Sequence, residues 1–289
     1  MKEGQDFFII RRGDNLYPPL LEQIADPPAQ LYVRGDPKLL HTRAFAVVGS
    51  RDVTDYGRRA IETIVTPLAR YFTIVSGMAL GADASAHCAA LANPGGKTIA
   101  VLGCGVDDAS IYPRSHISLA HKILASGGCL VSEYPIGELA RPFYFPARNR
   151  IVAGLSLGVL IAEAARDSGT MITARLALDY GRDVFAVPGS IFSKLSEGTN
   201  ELIQKGACAT VCTEDILQSY EIEAVAKQAK LLLSDAEQKI HSIIATSPCS
   251  VTEVIQRSAF SASETMTIIS ELEVRGIIVR TGNSLTAKK

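Results

Sequence analysis

Short, nearly unbroken apolar runs recur through the middle of the chain, and most of them run into a glycine, a serine or a proline. They are Ala44–Gly49, Phe72–Ser76, Lys97–Gly103, Cys129–Glu133, Leu157–Ala162 and Asp183–Pro188. Runs of this length without in-and-out alternation predict strands buried on both faces. Between them the spacing becomes helical. Ile61, Ile64, Val65 and Leu68 share one face of a helix predicted over Tyr56–Arg70. Ala82–Leu91 reads as a helix rich in small residues, and Met171–Tyr180 as another. Strand and helix in alternation predict an α/β fold, a Rossmann-like doubly wound, mostly parallel sheet. Ligands of such sheets bind beyond the carboxyl ends of the strands.

The two ends of the chain follow other patterns. Residues 1–40 hold the turn signals Tyr17-Pro-Pro and Asp26-Pro-Pro and one extended run, Leu31–Arg34, which together predict an arm packed on a main domain of residues 41–215. A charged, alanine-rich stretch, 216–233, reads as a helix or linker. Three capping boxes follow, Ser234-Asp-Ala-Glu237, Ser250-Val-Thr-Glu253 and Ser261-Ala-Ser-Glu264. Gly276, the run Ile277–Arg280, a Gly282-Asn283 turn and Leu285-Thr286 complete the pattern of a small C-terminal winged helix over 234–289. That segment carries six basic and six acidic residues, so partner binding or packing suits it at least as well as reading duplex DNA.

Composition narrows the classes. Of 289 residues, 47% are hydrophobic and 20% charged, which excludes general disorder. Lys plus Arg is 29 against 30 for Asp plus Glu, so a nucleic-acid site would need locally concentrated basic charge. No apolar run is long enough for a membrane span, and the polar start Met1–Asp6 lacks a signal core. None of the six cysteines forms a CxxC pair, and four sit among apolar or small residues as buried free thiols. Neither disulfides, zinc nor another cofactor is expected, and the expected compartment is the reducing cytoplasm.

Four segments could carry chemistry. Gly49-Ser50-Arg51 closes the first buried strand; its amides, the helix start and the forked Arg51 donor suit an anion, and the same residues also fit a plain turn. Ser76-Gly77-Met-Ala79-Leu-Gly81-Ala-Asp83 offers backbone amides behind small residues but matches neither a dinucleotide fingerprint nor a P-loop. There Asp83 fits a helix N-cap better than an acid–base role, and His87, four residues on, fits a hydrogen-bonded structural pair with it better than a catalytic dyad. Arg141-Pro-Phe143-Tyr-Phe145-Pro-Ala-Arg148-Asn149-Arg150 holds three arginines, three aromatics and no acid. Arginine fits phosphate and aromatics stack on unpaired bases, although an ordinary loop with its phenylalanines in the core is the plainer alternative. Ser168-Gly169-Thr170 opens a helix, as phosphate contacts or as ordinary N-caps in equal measure.

Together these segments resemble the DNA-processing protein A (DprA/Smf) family. The matching pieces run in order from Ala46-Val-Val-Gly-Ser-Arg51 through Ser76–Asp83, Thr98–Gly103, Ser132-Glu-Tyr-Pro135, Phe145-Pro-Ala-Arg-Asn-Arg150, Ile151–Ser156, Ser168-Gly-Thr170 and Val184–Gly189 to Gly206-Ala207. The likeness spans roughly residues 14–217, and the FPARNR-IVAGLS run is its most specific part. It implies a non-enzymatic, dimeric recombination mediator that binds single-stranded DNA and loads RecA onto it, in natural transformation and in recombinational repair, with other competence proteins as further partners. Arg51 matches the family's phosphate-binding arginine, and Ser50, Ser76, Gly77 and Ala79 match backbone-phosphate contacts. Arg141 and either Phe143 or Phe145 stand where a basic residue and a stacking aromatic are expected; Asn149 and Arg150 match the RNR element, with a buried structural role open for Arg150. Two departures follow: the N-terminal helical domain of many members is expected to be missing, and Ala82 replaces a common isoleucine.

The competing class is a Rossmann-like nucleotide hydrolase, with Asp83, Glu133 or Glu163 as acid or base. Such enzymes carry a PGGxGTxxE element, and Asp167–Thr173 lacks its paired glycines and its glutamate.

Overall fold

The computed structural model describes residues 7–223, 234–246, 249–274, 277–282 and 284–287, and it divides into two units, Met1–Glu223 and Ala224–Lys289. The first unit runs β1 (Phe7–Arg11), α1 (Pro19–Glu22), β2 (Gln30–Gly35), β3 (Ala44–Val48), α2 (Asp55–Leu68), β4 (Thr73–Ser76) and α3 (Ala82–Ala92). It continues with β5 (Thr98–Leu102), α4 (Ile117–Ala125), β6 (Cys129–Ser132), α5 (Tyr144–Gly154), β7 (Gly158–Ile161) and α6 (Gly169–Asp179). It closes with β8 (Asp183–Ala186), α7 (Glu197–Gln204), β9 (Cys208–Ala209) and α8 (Thr213–Ser219).

All six predicted strands form, as β3 to β8. They lie in a nine-stranded sheet ordered β1-β2-β6-β5-β4-β3-β7-β8-β9, parallel from β6 to β9. Every residue of β3, β4, β5, β6 and β7 is buried, which explains their unbroken apolar sequences. On one face, Ile61, Ile64, Val65 and Leu68 of α2 pack against Phe45, Ile74 and Phe185. On the other, Ile151 and Val152 of α5 and Ala174 and Ala177 of α6 pack against Val75, Val101 and Val159.

The arm is part of the sheet rather than a segment laid over it. β2 pairs antiparallel with β6, Tyr32 opposite Ser132, and β1 pairs antiparallel with β2. The reason is that β6 ends the parallel run, and its outer backbone groups need partners. The first unit also continues past Asp215. Ile216 and Leu217 of α8 are buried beside α2, and the Thr213 hydroxyl donates to the Ile64 carbonyl at 2.8 Å. The rest of the expected linker, 224–233, lies outside the described residues, as do residues 1–6. Cys104, Cys129 and Cys249 are buried, whereas Cys88 and Cys208 are exposed, one fewer buried thiol than the sequence pattern suggested.

The second unit holds α9 (Asp235–Thr246), β10 (Cys249–Ser250), α10 (Val251–Ser258), α11 (Ala262–Val274), β11 (Ile278–Thr281) and β12 (Ser284–Ala287), its sheet ordered β10-β12-β11. All three capping boxes form. The Glu237, Glu253 and Glu264 amides donate to Ser234, Ser250 and Ser261 Oγ at 3.3, 3.3 and 3.2 Å. The serine amides donate back to the glutamate carboxylates at 2.7, 2.6 and 3.0 Å. Ile240, Ile244, Val254, Ile269, Leu272 and Leu285 form the core of this winged helix. Gly276 and Asn283, expected at its turns, lie outside the described residues.

Candidate nucleic-acid interface

From β3 the chain winds through β4 and β5 to β6 on one side, then returns to place β7 on the other side of β3. This reversal separates the loops after β3 and β7 and opens a crevice at their carboxyl ends. The crevice is a cleft of about 650 Å³. Val48, Gly49 and Arg51 from the β3 turn, Ala79 from the β4 loop and the Ser168–Thr170 start of α6 form its walls. Phe145, Arg148 and Asn149 of α5 and Tyr112 complete it.

Two local features shape these walls. Gly81 adopts φ +76°, and a Cβ there would strike the Ser50 and Arg51 carbonyls, so only glycine brings the β4 loop this close to the β3 turn. Ser168 caps α6, its Oγ accepting the Thr170 amide at 3.2 Å, which presents the helix N-terminus to the cleft.

Arg51 and Phe145 meet across the mouth. The Arg51 guanidinium stands 5.6 Å from the centroid of the Phe145 ring, and Tyr112 lies 5.7 Å from the same ring. Cation, aromatic pair and helix dipole thus face one space.

The floor is Arg148, 5% exposed, whose guanidinium donates to the Val101 carbonyl at 2.8 Å and leaves its buried Nε without a hydrogen-bond partner. It lies directly on Gly77, where any Cβ would overlap the guanidinium. Asp83, also buried, accepts the Ala79 amide at 3.3 Å. Burial pushes the Asp83 carboxyl above its ordinary range, and the Arg148 charge and the Ala79 hydrogen bond oppose that shift.

Of the fourteen residues expected to contact DNA, Gly49, Arg51, Ala79, Phe145, Asn149, Ser168, Gly169 and Thr170 line this cleft. Six do not. The Ser50 amide donates to the Glu163 carbonyl at 2.7 Å, and the buried Ser76 hydroxyl donates to the Val47 carbonyl at 2.6 Å. Gly77 is covered by Arg148. Arg141 pairs with Glu138 at 3.3 Å outside the cleft, and Phe143, 62% exposed, sits edge-on to Tyr144. Arg150 is held by Glu133 at 2.6 Å and Asp26 at 3.2 Å, the structural alternative considered for it.

The anion site expected at the start of α2 is filled from within. Both Thr54 donors bond the Glu163 carboxylate, the amide at 2.8 Å and the hydroxyl at 2.7 Å. The N-cap of α3 is Gly81, not Asp83, because Asp83 lies inside the first turn. Asp83 and His87 also take separate partners. The Thr98 hydroxyl donates to the Ile74 carbonyl at 2.7 Å and so receives the His87 Nδ1 proton at 2.7 Å. Burial depresses the His87 pKa to about 3. Each carboxylate weighed as an enzymatic acid or base is already bonded or paired: Asp83 to Ala79, Glu133 to Arg150, Glu163 to Thr54.

Arg148 and Tyr112 were not among the expected contacts. The signal for Arg148 was present: Phe145, Arg148 and Asn149 follow the i, i+3, i+4 spacing of one helix face, which a loop reading of this segment hides. Two residues beyond Arg148, Arg150 necessarily points elsewhere.

Residues 8–221 match the family described as DNA recombination-mediator protein A, and residues 224–283 match the DprA winged helix domain. The chain belongs to the DNA recombination-mediator protein A family. Its relatives in that family include DNA processing protein DprA of Streptococcus pneumoniae, 44% identical over 76% of this chain and 77% of the relative. Protein Smf of Escherichia coli is 44% identical over 76% of this chain and 58% of its own length. The X-ray structure of the S. pneumoniae protein superposes with a TM-score of 0.70, covering 77% of this chain and 76% of that one. DNA processing protein A from Helicobacter pylori, whose structural work concerns its single-stranded DNA binding mode, superposes with a TM-score of 0.66 at 33% identity, over 76% of this chain and 98% of that one.

Proposed function

We propose that this member of the family binds single-stranded DNA in the cleft at the β3/β7 crevice and acts as a recombination mediator. The observation that carries the reading is the placement of Arg51 over Phe145, opposite the N-terminus of α6. A phosphate has a forked cation and the Gly169 amide at the helix end to bind, and an unpaired base has the Tyr112–Phe145 pair beside it. Ala79 and Gly169 let the sugar-phosphate chain approach the main chain, where no base edge is read, so binding is indifferent to sequence. A duplex keeps its bases stacked inside and forfeits the aromatic contact. Delivery of the bound strand to RecA and action as a homodimer belong to the same proposal, as the resemblance to the family implies.

The test is fluorescence anisotropy of labelled oligo-dT and a matched duplex with wild type and Arg51→Ala. Preferential single-strand binding, weakened about tenfold or more in the variant, is expected. An unchanged dissociation constant removes the cleft from the mechanism. RecA nucleation on coated single strands and light scattering test the remaining two elements.

A further inference from the structure

The carboxyl edge of the sheet carries a second cleft, of about 550 Å³, on the far side of the turn that follows β3. Thr54, Tyr56 and Glu163 form one side, and Ser190, Ser193 and Ser196 the other. Glu163 braces the turn between the two clefts: its carbonyl accepts the Ser50 amide at 2.7 Å, and its carboxylate holds Thr54. One short turn therefore walls both spaces.

The loop bearing the three serines presents Ile191 and Phe192 to solvent, 82% and 92% exposed, with Lys194 exposed two residues further on. This exposure is built. Asn200 clamps Gly189 in both directions, at 3.2 and 3.1 Å. Ser190 Oγ accepts the Phe192 amide at 3.2 Å, and the Ser190 carbonyl accepts the Ser193 amide at 3.0 Å. A full aromatic ring is thus held out in water beside a hydroxyl-lined cleft and a cation.

We infer that this cleft is a second subsite for the same single strand, taking nucleotides next to those held at Arg51. The inference rests on the reading of the first cleft. An aromatic face stacks on any base, and serine hydroxyls and a lysine suit sugar and phosphate. The Glu163 charge repels phosphate from the floor, so the backbone runs along the rim at Lys194 and the base lies on Phe192. Continuity with the first cleft selects nucleic acid over a protein surface as the occupant.

The test uses the full chain and oligo-dT from about 3 to about 16 nucleotides. Phe192→Ala is expected to leave the shortest oligonucleotide unaffected and to weaken long ones by between about fivefold and about 150-fold, the range of one lost base stack. The chain has no tryptophan, so Phe192→Trp adds a single emitter at the site, which long oligonucleotides quench and the shortest do not. Equal weakening at every length, or emission unmoved by saturating long oligonucleotide, overturns the subsite and leaves the loop to a protein partner. Arg51→Ala, run in parallel, separates the two readings: it weakens all lengths if the first cleft binds DNA, whatever Phe192 does.

Discussion

The Glu163 carboxylate holds Thr54 by both its donors, and through them it occupies the positive end of α2. A chain with a glycine-ended strand and a helix start invites an external phosphate at that place, and here an internal carboxylate already fills it. Glu163→Ala leaves the two Thr54 donors unpaired and frees the Thr54 hydroxyl that caps α2 through the Gly57 amide, and a stability loss of about 1–3 kcal/mol is expected in chemical denaturation. Affinity of the folded variant for the shortest oligo-dT, which reaches only the first cleft, should stay near wild type; a loss as large as that of Arg51→Ala would make Glu163 part of the first binding surface.

That relationship also marks where sequence reasoning reaches its limit. The strands β3 to β8 were legible because burial on both faces writes itself as an unbroken apolar run. The winged helix was legible through its capping boxes, which are local chemistry. β1 lies at an edge with Phe8 and Ile9 exposed, and β9 has two residues, so neither leaves a pattern. Ser50, Ser76 and Glu163 are neighbours only through strand pairing, and their hydrogen bonds cannot be read along the chain. The prolines 142 and 146 made α5 look like a loop, although Pro146 sits in the first turn, where a helix tolerates it.

Gly77 admits no side chain because Arg148 lies on it. Gly77→Ala is expected to force the buried guanidinium aside and cost about 1–3 kcal/mol. The same shift removes the floor of the cleft, so single-strand binding weakens together with stability. A stable variant with wild-type affinity would show that Arg148 adapts without consequence.

The salt dependence of binding counts the cations at work. Two arginines line the first cleft, which at ~0.7 per contact gives a slope near −1.4 for short oligonucleotides. Engagement of Lys194 by longer strands steepens the slope to about −2. Anisotropy titrations at several salt concentrations measure it directly.

His87 is buried and neutral, with its pKa depressed to about 3 from an ordinary 6.5. The unfolded chain therefore binds a proton below about pH 6.5 that the folded chain refuses until about pH 3. This contribution is full above 6.5 and is lost as pH falls, by about 2 kcal/mol between pH 7 and pH 5. Denaturation midpoints at the two pH values should show that loss in wild type and much less of it in His87→Leu.

The third helix of the winged domain, Ala262–Val274, contains three glutamates and no lysine, arginine, asparagine or glutamine. Arg280 in the wing is bound by Glu273 at 2.8 and 3.3 Å. Such a helix is repelled by phosphates and lacks the usual base readers. Truncation before Ser234 should change single-strand affinity by no more than a few fold, and a larger loss in the same anisotropy assay would assign strand contacts to this domain.

The interlock of Arg148 with Gly77 and the Val101 carbonyl fixes the receiving surface before any strand arrives. Encounter then needs no opening of the protein, and the bimolecular rate is set by collision and orientation, roughly 10^5 to 10^7 per molar per second. On the proposed reading, whatever delay remains resides in the nucleic acid, which unstacks a base to fit. The temperature dependence of capture should accordingly follow the stacking of the strand, purine runs being slower to engage than thymine runs, while the protein contributes the same surface to each.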